Sequence, residues 1–211
     1  MRQAVKPPRT RRAERAEETR RRILVAATSL FTEVGFAGTT IEAIAGRADV
    51  AVETVYSRFR NKANLLDAIL APAISGRDDG RSLFDRPEID EIRSCPDQGA
   101  QIRLLARFSR GVLQRTDRIH RILQTAAAVD ANAAAVERLD QQNRHRGQRA
   151  YVDMLLANGP LRDGVTPELA TDTYAALANP TTYAFFTGQR GWTPEQFEEW
   201  LVDSLARLLL P

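Results

Sequence analysis

The 211-residue sequence is poor in the residues on which catalytic and metal sites depend. It contains one cysteine, Cys95, and two histidines, His120 and His145. A single cysteine excludes an internal disulfide, and no cysteine or histidine cluster has the spacing of a metal site. Glycine-rich phosphate loops and serine nucleophile motifs are also missing. We therefore predict no metal, no cofactor and no catalytic residue, and these absences argue against an enzyme.

Long apolar runs are missing as well. No stretch approaches the ~18 continuous apolar residues of a membrane-spanning helix. The charged segment Glu14 to Arg22 stands where a secretory signal would have its apolar core. These absences predict a cytoplasmic protein with no membrane partner.

Positive charge is concentrated at the N-terminal end of the chain. Residues 1–76 carry 13 Lys and Arg against 8 Asp and Glu, although the net charge of the whole chain is only +3. A basic segment of this kind is typical of proteins that bind a polyanion, usually nucleic acid. A solubilising tail has the same composition, so charge alone leaves both interpretations open.

Apolar residues recur at intervals of three and four, and no strand-like alternation is present, so the pattern predicts an all-α protein. We expect an N-terminal three-helix helix-turn-helix domain joined to a larger C-terminal helical domain. The expected segments are a disordered basic arm (1–17), the helix-turn-helix domain (18–62), a connecting helix (63–76) and the C-terminal domain (77–211).

Within the C-terminal domain the pattern predicts six further helices. They cover about 87–92, 102–112, 119–123, 132–158 (with an exposed polar middle at 140–149), 167–188 and 194–210.

Two short predicted helices after Gly35, which should stop the first helix, carry the clearest functional signal. Thr39 and Thr40 offer an N-cap, with Glu42 in capping-box register to Thr39. The chain then bends through Ala48-Asp49-Val50 into a second short helix. Two short helices joined by a tight turn are typical of a DNA-binding helix-turn-helix. Packing would leave one face of the second helix free to contact bases: Val52, Glu53, Thr54, Ser57 and Arg58.

An ordered set of residues between about 18 and 70 resembles the signature of the TetR family of transcriptional regulators. The matching residues are Gly35-Phe36, Thr39-Thr40, Ile44-Ala45, Val50, Thr54-Val55-Tyr56, Phe59, Asn61-Lys62 and Leu65-Leu66.

This resemblance implies that Thr40, Tyr56 and Lys62 contact DNA phosphates, roles that suit a helix N-terminus, a hydroxyl and an ammonium group. Alternatively, Tyr56 is a partly buried core aromatic and Lys62 an ordinary solvated residue at the start of a helix. Arg11 and Arg12 are further candidates for minor-groove or phosphate contacts.

Two residues depart from the family pattern. Asp49 stands where Gly is common in the turn, although Asp tolerates the left-handed conformation. Ala51 stands where Ser often caps the recognition helix, so one hydroxyl is missing.

The resemblance also implies a homodimer, which would present two recognition helices to a palindromic double-stranded DNA operator. Alternatively, the apolar face of the last helices packs inside the monomer. The residues expected at the dimer interface are Leu177, Phe185, Phe197, Trp200, Leu201, Leu205 and Leu208.

Members of this family commonly bind a small molecule between the central helices, so the resemblance implies a repressor released from its operator by an unidentified effector. The alternative is a constitutive dimeric regulator that senses no ligand. Candidate pocket residues, which could equally be ordinary core, are Phe108, Val112, Leu123, Tyr151, Met154, Leu155, Tyr174 and Phe186.

Overall fold

The computed structural model describes residues 11–76 and 83–211, and this part of the chain is helical with no strand. The all-α prediction is confirmed. The chain divides into two compact units, Met1–Ile69 and Leu70–Pro211. The helices are α1 (Arg11–Gly38), α2 (Ile41–Ala48), α3 (Val52–Phe59), α4 (Lys62–Ser75), α5 (Pro87–Ser94), α6 (Gln98–Ala127), α7 (Ala131–Leu156), α8 (Pro167–Leu177), α9 (Pro180–Ala184) and α10 (Pro194–Leu209).

Helix α1 begins at Arg11, within the segment expected to be a disordered arm. Residues 11–17 belong to α1 and not to a disordered arm, whereas the rest of the predicted arm, residues 1–10, lies outside the described residues. Arg, Ala and Glu are good helix formers, and Glu18 pairs with Arg21 one turn later, at 2.7 Å. The charge-dense sequence that resembled an arm is therefore the solvated start of a helix.

Gly35 interrupts α1, as the sequence predicted. Its φ of 73° and ψ of 176° are non-helical and suit a residue without a Cβ. One further turn reaches Gly38, and Phe36 stacks on Phe31 with ring centroids 5.8 Å apart.

The core of the first unit is built from the apolar stripes of its helices. Helix α2 packs against both α1 and α3. Each fully buried Ile, Val or Phe side chain contributes about 1.5–3 kcal/mol, so this packing fixes the angle between the two short helices. The core residues include Ile23, Phe31, Ile44, Val55, Phe59 and Leu66.

In the second unit, α6 pairs with α7, and α8 and α10 complete the core. Helix α6 is a single 30-residue helix, so the prediction of two helices at 102–112 and 119–123 was wrong. Gly111, Thr116 and Asp117 do not break this helix, because each of them keeps the backbone N–H donor that proline lacks. The Thr116 hydroxyl donates to the carbonyl of Val112 at 2.8 Å within the same helix.

The single helix expected over 167–188 was also wrong, since α8 ends at Leu177. Pro180 has no N–H and disfavours a helical conformation at Asn179. Asn179 instead caps α9, its side-chain oxygen accepting from the Thr182 N–H at 3.0 Å. A π-helical turn, Phe185–Gln189, follows α9. The short helix expected near Pro87 and the long helix expected from residue 132 are present as α5 and α7.

Candidate nucleic-acid interface and ligand cavity

The N-terminus of α2 is capped by Thr40. Its side-chain oxygen accepts from the Ala43 N–H at 3.1 Å, and the residue is exposed. Thr39 is buried and donates its hydroxyl hydrogen to the carbonyl of Gly35 at 2.7 Å. The expected capping box between Thr39 and Glu42 was therefore wrong, because the Thr39 side chain is used at the end of α1. Thr40 stands beside free backbone N–H groups, an arrangement suited to phosphate.

The turn between α2 and α3 depends on Asp49 in the left-handed conformation, with φ 52° and ψ 57°. The next N–H, that of Val50, donates to the carbonyl of Ala45 at 3.1 Å, as in a Schellman-type helix end. Arg22 of α1 donates to both the carbonyl and the carboxylate of Asp49, at 2.9 and 3.0 Å. The turn therefore tolerates Asp in place of Gly, and α1 holds it in position.

Helix α3 separates a packing face from a polar face. Val55 and Phe59 are buried, and Ala51 provides no side-chain cap. The Ser57 hydroxyl donates to the carbonyl of Thr54 at 3.1 Å, which leaves its oxygen lone pairs free. Hydroxyl, guanidinium and carboxylate groups on one exposed face can reach base edges in a major groove. On the polar face, Val52 and Thr54 are half-buried, and Glu53, Tyr56, Ser57 and Arg58 are exposed.

Tyr56 is 47% exposed, so its side chain is partly packed and partly accessible. Its hydroxyl lies on the same helix as the candidate base-contacting residues, where a donor to phosphate would fix the register on the duplex.

Lys62, the first residue of α4, has a structural role that the sequence did not indicate. Its ammonium group donates to the carbonyls of Phe36 and Thr39 at 2.7 and 2.8 Å, and lies 4.3 Å from the centroid of the Phe36 ring. Lys62 is therefore not an ordinary solvated residue. It satisfies carbonyls at the end of α1, and only one ammonium hydrogen is left for a phosphate.

Arg11 and Arg12 are exposed in the first turn of α1. Their contact with DNA stays a prediction.

The residues expected at the dimer interface fall into two groups. Phe197, Leu201 and Leu205 are completely buried within the single chain, so their assignment to the interface is corrected. The three-to-four-residue periodicity of α10 shows that one face is apolar, but it does not show which core that face joins. Phe185 and Leu208 are 43% and 46% exposed, and two others, Leu177 and Trp200, are half-buried.

A cavity of about 580 Å³ lies in the second unit, bounded mainly by α6 and α7. Four of the predicted pocket residues line it, namely Phe108, Val112, Tyr151 and Tyr174. The other four do not: Leu123 and Leu155 are fully buried elsewhere, and Met154 and Phe186 pack against the core.

One end of the cavity carries an ionic cluster of His120, Asp140 and Arg144. His120 Nε2 lies 3.1 Å from both Asp140 Oδ2 and Arg144 Nη1, and Arg144 also pairs with Asp140. Burial and the charge of Arg144 lower the pKa of His120 to about 4. Burial also lowers the pKa of Arg144 to about 10.

The expectation of an exposed polar middle in α7 was therefore wrong at Asp140 and Gln148, which are buried. The available signal was their spacing: residues 140, 144, 148 and 151 share one helical face. Apolar periodicity alone does not indicate such a polar stripe.

Two buried polar atoms have no hydrogen-bond partner among residues 11–76 and 83–211, namely His120 Nδ1 and the hydroxyl of Tyr151. Both residues line the cavity. Burial raises the pKa of Tyr151 well above its usual value, so its hydroxyl stays protonated.

Comparisons with known proteins agree with this geometry. Residues 23–69 match the family described as bacterial regulatory proteins, tetR family. The comparison with curated proteins found no match. The solved structure of NalD, the secondary repressor of the MexAB-OprM multidrug efflux pump in Pseudomonas aeruginosa, is 23% identical over 92% of this chain and 98% of that chain, with a TM-score of 0.67.

Two further solved structures are similar over most of this chain. A putative transcriptional regulator from Saccharomonospora viridis in complex with choline is 19% identical, covering 92% of this chain and 99% of that chain, with a TM-score of 0.68. A SmeT-triclosan complex is 18% identical, covering 92% of each chain, with a TM-score of 0.69. At these identities the likeness shows a shared fold.

The first unit therefore contains a helix-turn-helix domain like that of bacterial regulatory proteins of the tetR family. Among the described helices, none is long and apolar enough to cross a membrane.

Proposed function

We propose that this protein is a homodimeric repressor that binds a palindromic operator through α3 and is released when a small molecule enters the cavity between α6 and α7. The observation that carries the DNA-binding part is the polar face of α3. It presents exposed side chains on a helix that Val55 and Phe59 anchor to the core of the first unit. Such a helix suits a major groove.

The proposed contacts divide into two kinds. Thr40 and Tyr56 bind phosphate, helped by the third ammonium hydrogen of Lys62, and Arg11 and Arg12 add phosphate or minor-groove contacts. The base-contacting set is Val52, Glu53, Thr54, Ser57 and Arg58. Within it, Arg58 would donate to guanine and Glu53 would accept from cytosine.

The ligand-responsive part is supported by the volume of the cavity. About 580 Å³ lies within the roughly 300–1,000 Å³ range of small-molecule sites. Two proteins of similar fold have been solved as complexes, one with choline and one with triclosan.

Helix α4 offers a route for the response. Its first residue, Lys62, bonds to carbonyls of the first unit, and its last turn contributes Ile74 to the cavity lining. A ligand that favours one position of this helix would shift the population of DNA-binding conformations.

Dimerisation is proposed through the residues of the expected interface that the single chain leaves accessible. Leu208 and Phe185 are large, apolar and exposed, and a symmetric pairing would bury them in both subunits.

The experiment that tests the DNA-binding part is selection of bound sequences from random DNA. We expect a roughly palindromic site with half-sites about one helical turn apart. Replacing Ser57 by Ala should change the selected bases, whereas the matched control Ser94→Ala, at an exposed position of α5, should not. Binding without sequence preference would contradict the proposal. If no metabolite in a screen changes the affinity for the operator, the result favours a constitutive regulator that senses no ligand.

A further inference from the structure

We propose that the cavity takes an elongated, uncharged amphipathic molecule, with a flat ring at one end and a hydroxyl-type head group hydrogen-bonded to His120 at the other. This inference rests on the proposed function only in taking the cavity as the effector site.

The cavity follows the groove between two antiparallel helices. Phe108 of α6 faces Tyr151 of α7, with ring centroids 5.9 Å apart, and His120 of α6 faces Asp140 of α7. Phe108 and His120 are twelve residues apart on one helix, which corresponds to about 18 Å along its axis. The two ends of the cavity are thus separate environments, and one small polar group cannot occupy both.

The first end is aromatic. The ring of Tyr151 lies 5.7 Å from that of Phe84 and 6.2 Å from that of Tyr174. The Tyr174 hydroxyl is already paired with Ser109 Oγ at 2.6 Å. This end offers ring faces and edges to a flat group. The unpartnered Tyr151 hydroxyl favours a ring that bears a polar substituent.

The ionic cluster at the second end has no net charge. The carboxylate of Asp140 and the guanidinium of Arg144 neutralise each other, and His120 is a neutral imidazole. An ionised head group that reached His120 would lose its hydration beside a pair that is already neutralised, which is unfavourable. Arg146 also lines the cavity, but its side chain is exposed and remains solvated. This end therefore selects an uncharged head group.

The Nδ1 atom of His120 defines the chemistry of that head group. It makes no hydrogen bond of normal geometry among the described residues, although the Thr116 backbone, one helical turn earlier, also acts on the ring. The other ring nitrogen lies between a carboxylate acceptor and a guanidinium donor, so Nδ1 acts as an acceptor in one tautomer and as a donor in the other. A hydroxyl both donates and accepts, so it satisfies Nδ1 in either tautomer. A buried polar atom without a partner is rare in native proteins, and a ligand hydroxyl supplies the missing one.

The test uses three probes that differ in the head group: 6-(4-hydroxyphenyl)hexan-1-ol, 7-(4-hydroxyphenyl)heptanoic acid and 6-(4-hydroxyphenyl)hexan-1-amine. Calorimetry at pH 7 should give an affinity for the alcohol at least about tenfold higher than for the acid or the amine, which are ionised.

The chain has only two histidines, so NMR of ¹⁵N-labelled imidazole rings reports on each of them. The alcohol should move the ring-nitrogen signals of His120 and leave those of His145, which is exposed, in place. His120→Leu should lower the affinity for the alcohol about tenfold and leave the affinities for the acid and amine little changed. The matched control His145→Leu should change none of the three.

Equal affinities for the three probes, or unmoved His120 signals with all of them, would overturn the inference. Because the NMR measurement uses the unmutated protein, it decides the matter even if His120→Leu does not fold. Operator binding is measured on the same preparation. If the protein binds its operator but no probe moves the His120 signals, only this inference is rejected. If the probes bind tightly but the protein does not bind the operator, only the DNA-binding function is rejected.

Discussion

Asp49 illustrates how one residue holds the geometry of the candidate DNA-binding surface. Its left-handed backbone makes the turn between α2 and α3 tight, and its exposed carboxylate and its carbonyl both accept from Arg22. The tolerance of Asp for this conformation was predictable from its side-chain chemistry. The bond to Arg22 was not, because it joins residues 27 positions apart.

We expect Asp49→Ala to lower the free energy of unfolding by about 1 kcal/mol, since an alanine Cβ is disfavoured at positive φ. Asp49→Gly should stay within about 0.5 kcal/mol of the unmutated protein, because glycine accepts this conformation and the carbonyl still binds Arg22. Urea unfolding of the two variants checks the order, and an alanine variant as stable as the glycine variant would contradict it.

His120 is the residue whose surroundings differ most from its appearance in the sequence. An isolated histidine on an amphipathic helix gives no indication of a buried partner, and Asp140 lies on a different helix. Only the three-dimensional pairing of α6 with α7 brings the two together.

His120 should make the protein less stable in mild acid. Its pKa is about 4 when folded and about 6.5 when unfolded, so below pH 6.5 the unfolded chain takes up a proton that the folded protein excludes. This contribution to stability is complete above pH 6.5 and is lost as the pH falls towards 4. Between pH 7.5 and 5 it amounts to about 2 kcal/mol.

Urea unfolding at the two pH values measures this effect. The decrease should be about 2 kcal/mol smaller in His120→Gln than in the unmutated protein, whereas the control His145→Gln should behave like the unmutated protein. An equal decrease in the free energy of unfolding in both variants would show that folding does not lower the pKa of His120.

At the scale of helices, Lys62 joins the start of α4 to the end of α1. Lys62→Met retains the aliphatic stem and removes the ammonium group, so two carbonyls lose a charged donor. We expect a loss of about 2 kcal/mol in the free energy of unfolding. If the third ammonium hydrogen binds phosphate, the salt dependence of DNA affinity should also fall by about one unit.

The matched comparison for Lys62 is Tyr56→Phe, on the exposed face of α3. It should weaken DNA binding on all sequences by loss of one phosphate contact and should leave the stability within about 0.5 kcal/mol. If Lys62→Met is as stable as the unmutated protein, Lys62 has no structural role. A loss of stability in Tyr56→Phe would contradict the exposed position of the tyrosine.

Helix periodicity predicted where most helices lie, but not what each face packs against. In α10 the stripe of Phe197, Leu201 and Leu205 was visible in the sequence, yet it completes the core of its own chain. The positions at which helices end were less predictable. Pro180 ends α8 as proline chemistry requires, whereas Gly111 does not interrupt α6, because surrounding packing outweighs its low helix propensity.

At the scale of the whole molecule, the chain divides between Ile69 and Leu70, within the segment expected to connect two domains. Ile44, Val55 and Phe59, which belong to the residues that resemble the family signature, are buried in the core of the first unit. The aromatic end of the cavity lies where the family resemblance placed candidate pocket residues. The polar end was not expected, since polar residues on a helix are usually solvated.

The proposed homodimer can be tested at an exposed leucine. Leu208→Glu should convert the dimer to a monomer at micromolar concentration, because it places a charge in an apolar interface. Leu139→Glu is the control, since Leu139 is similarly exposed, at 52% against 46%, and lies outside the proposed interface. Sedimentation velocity measures both variants, and an unmutated protein that sediments as a monomer would contradict the proposal.

Sequence-specific binding by α3 is tested by the ratio of two affinities at one salt concentration. Fluorescence anisotropy at about 150 mM salt would compare the selected site with a scrambled duplex of equal length and composition. We expect at least about 10³-fold tighter binding to the selected site. Equal affinity for the two duplexes, lost together as salt rises, would mean that the protein binds only the phosphate backbone and would contradict the claim.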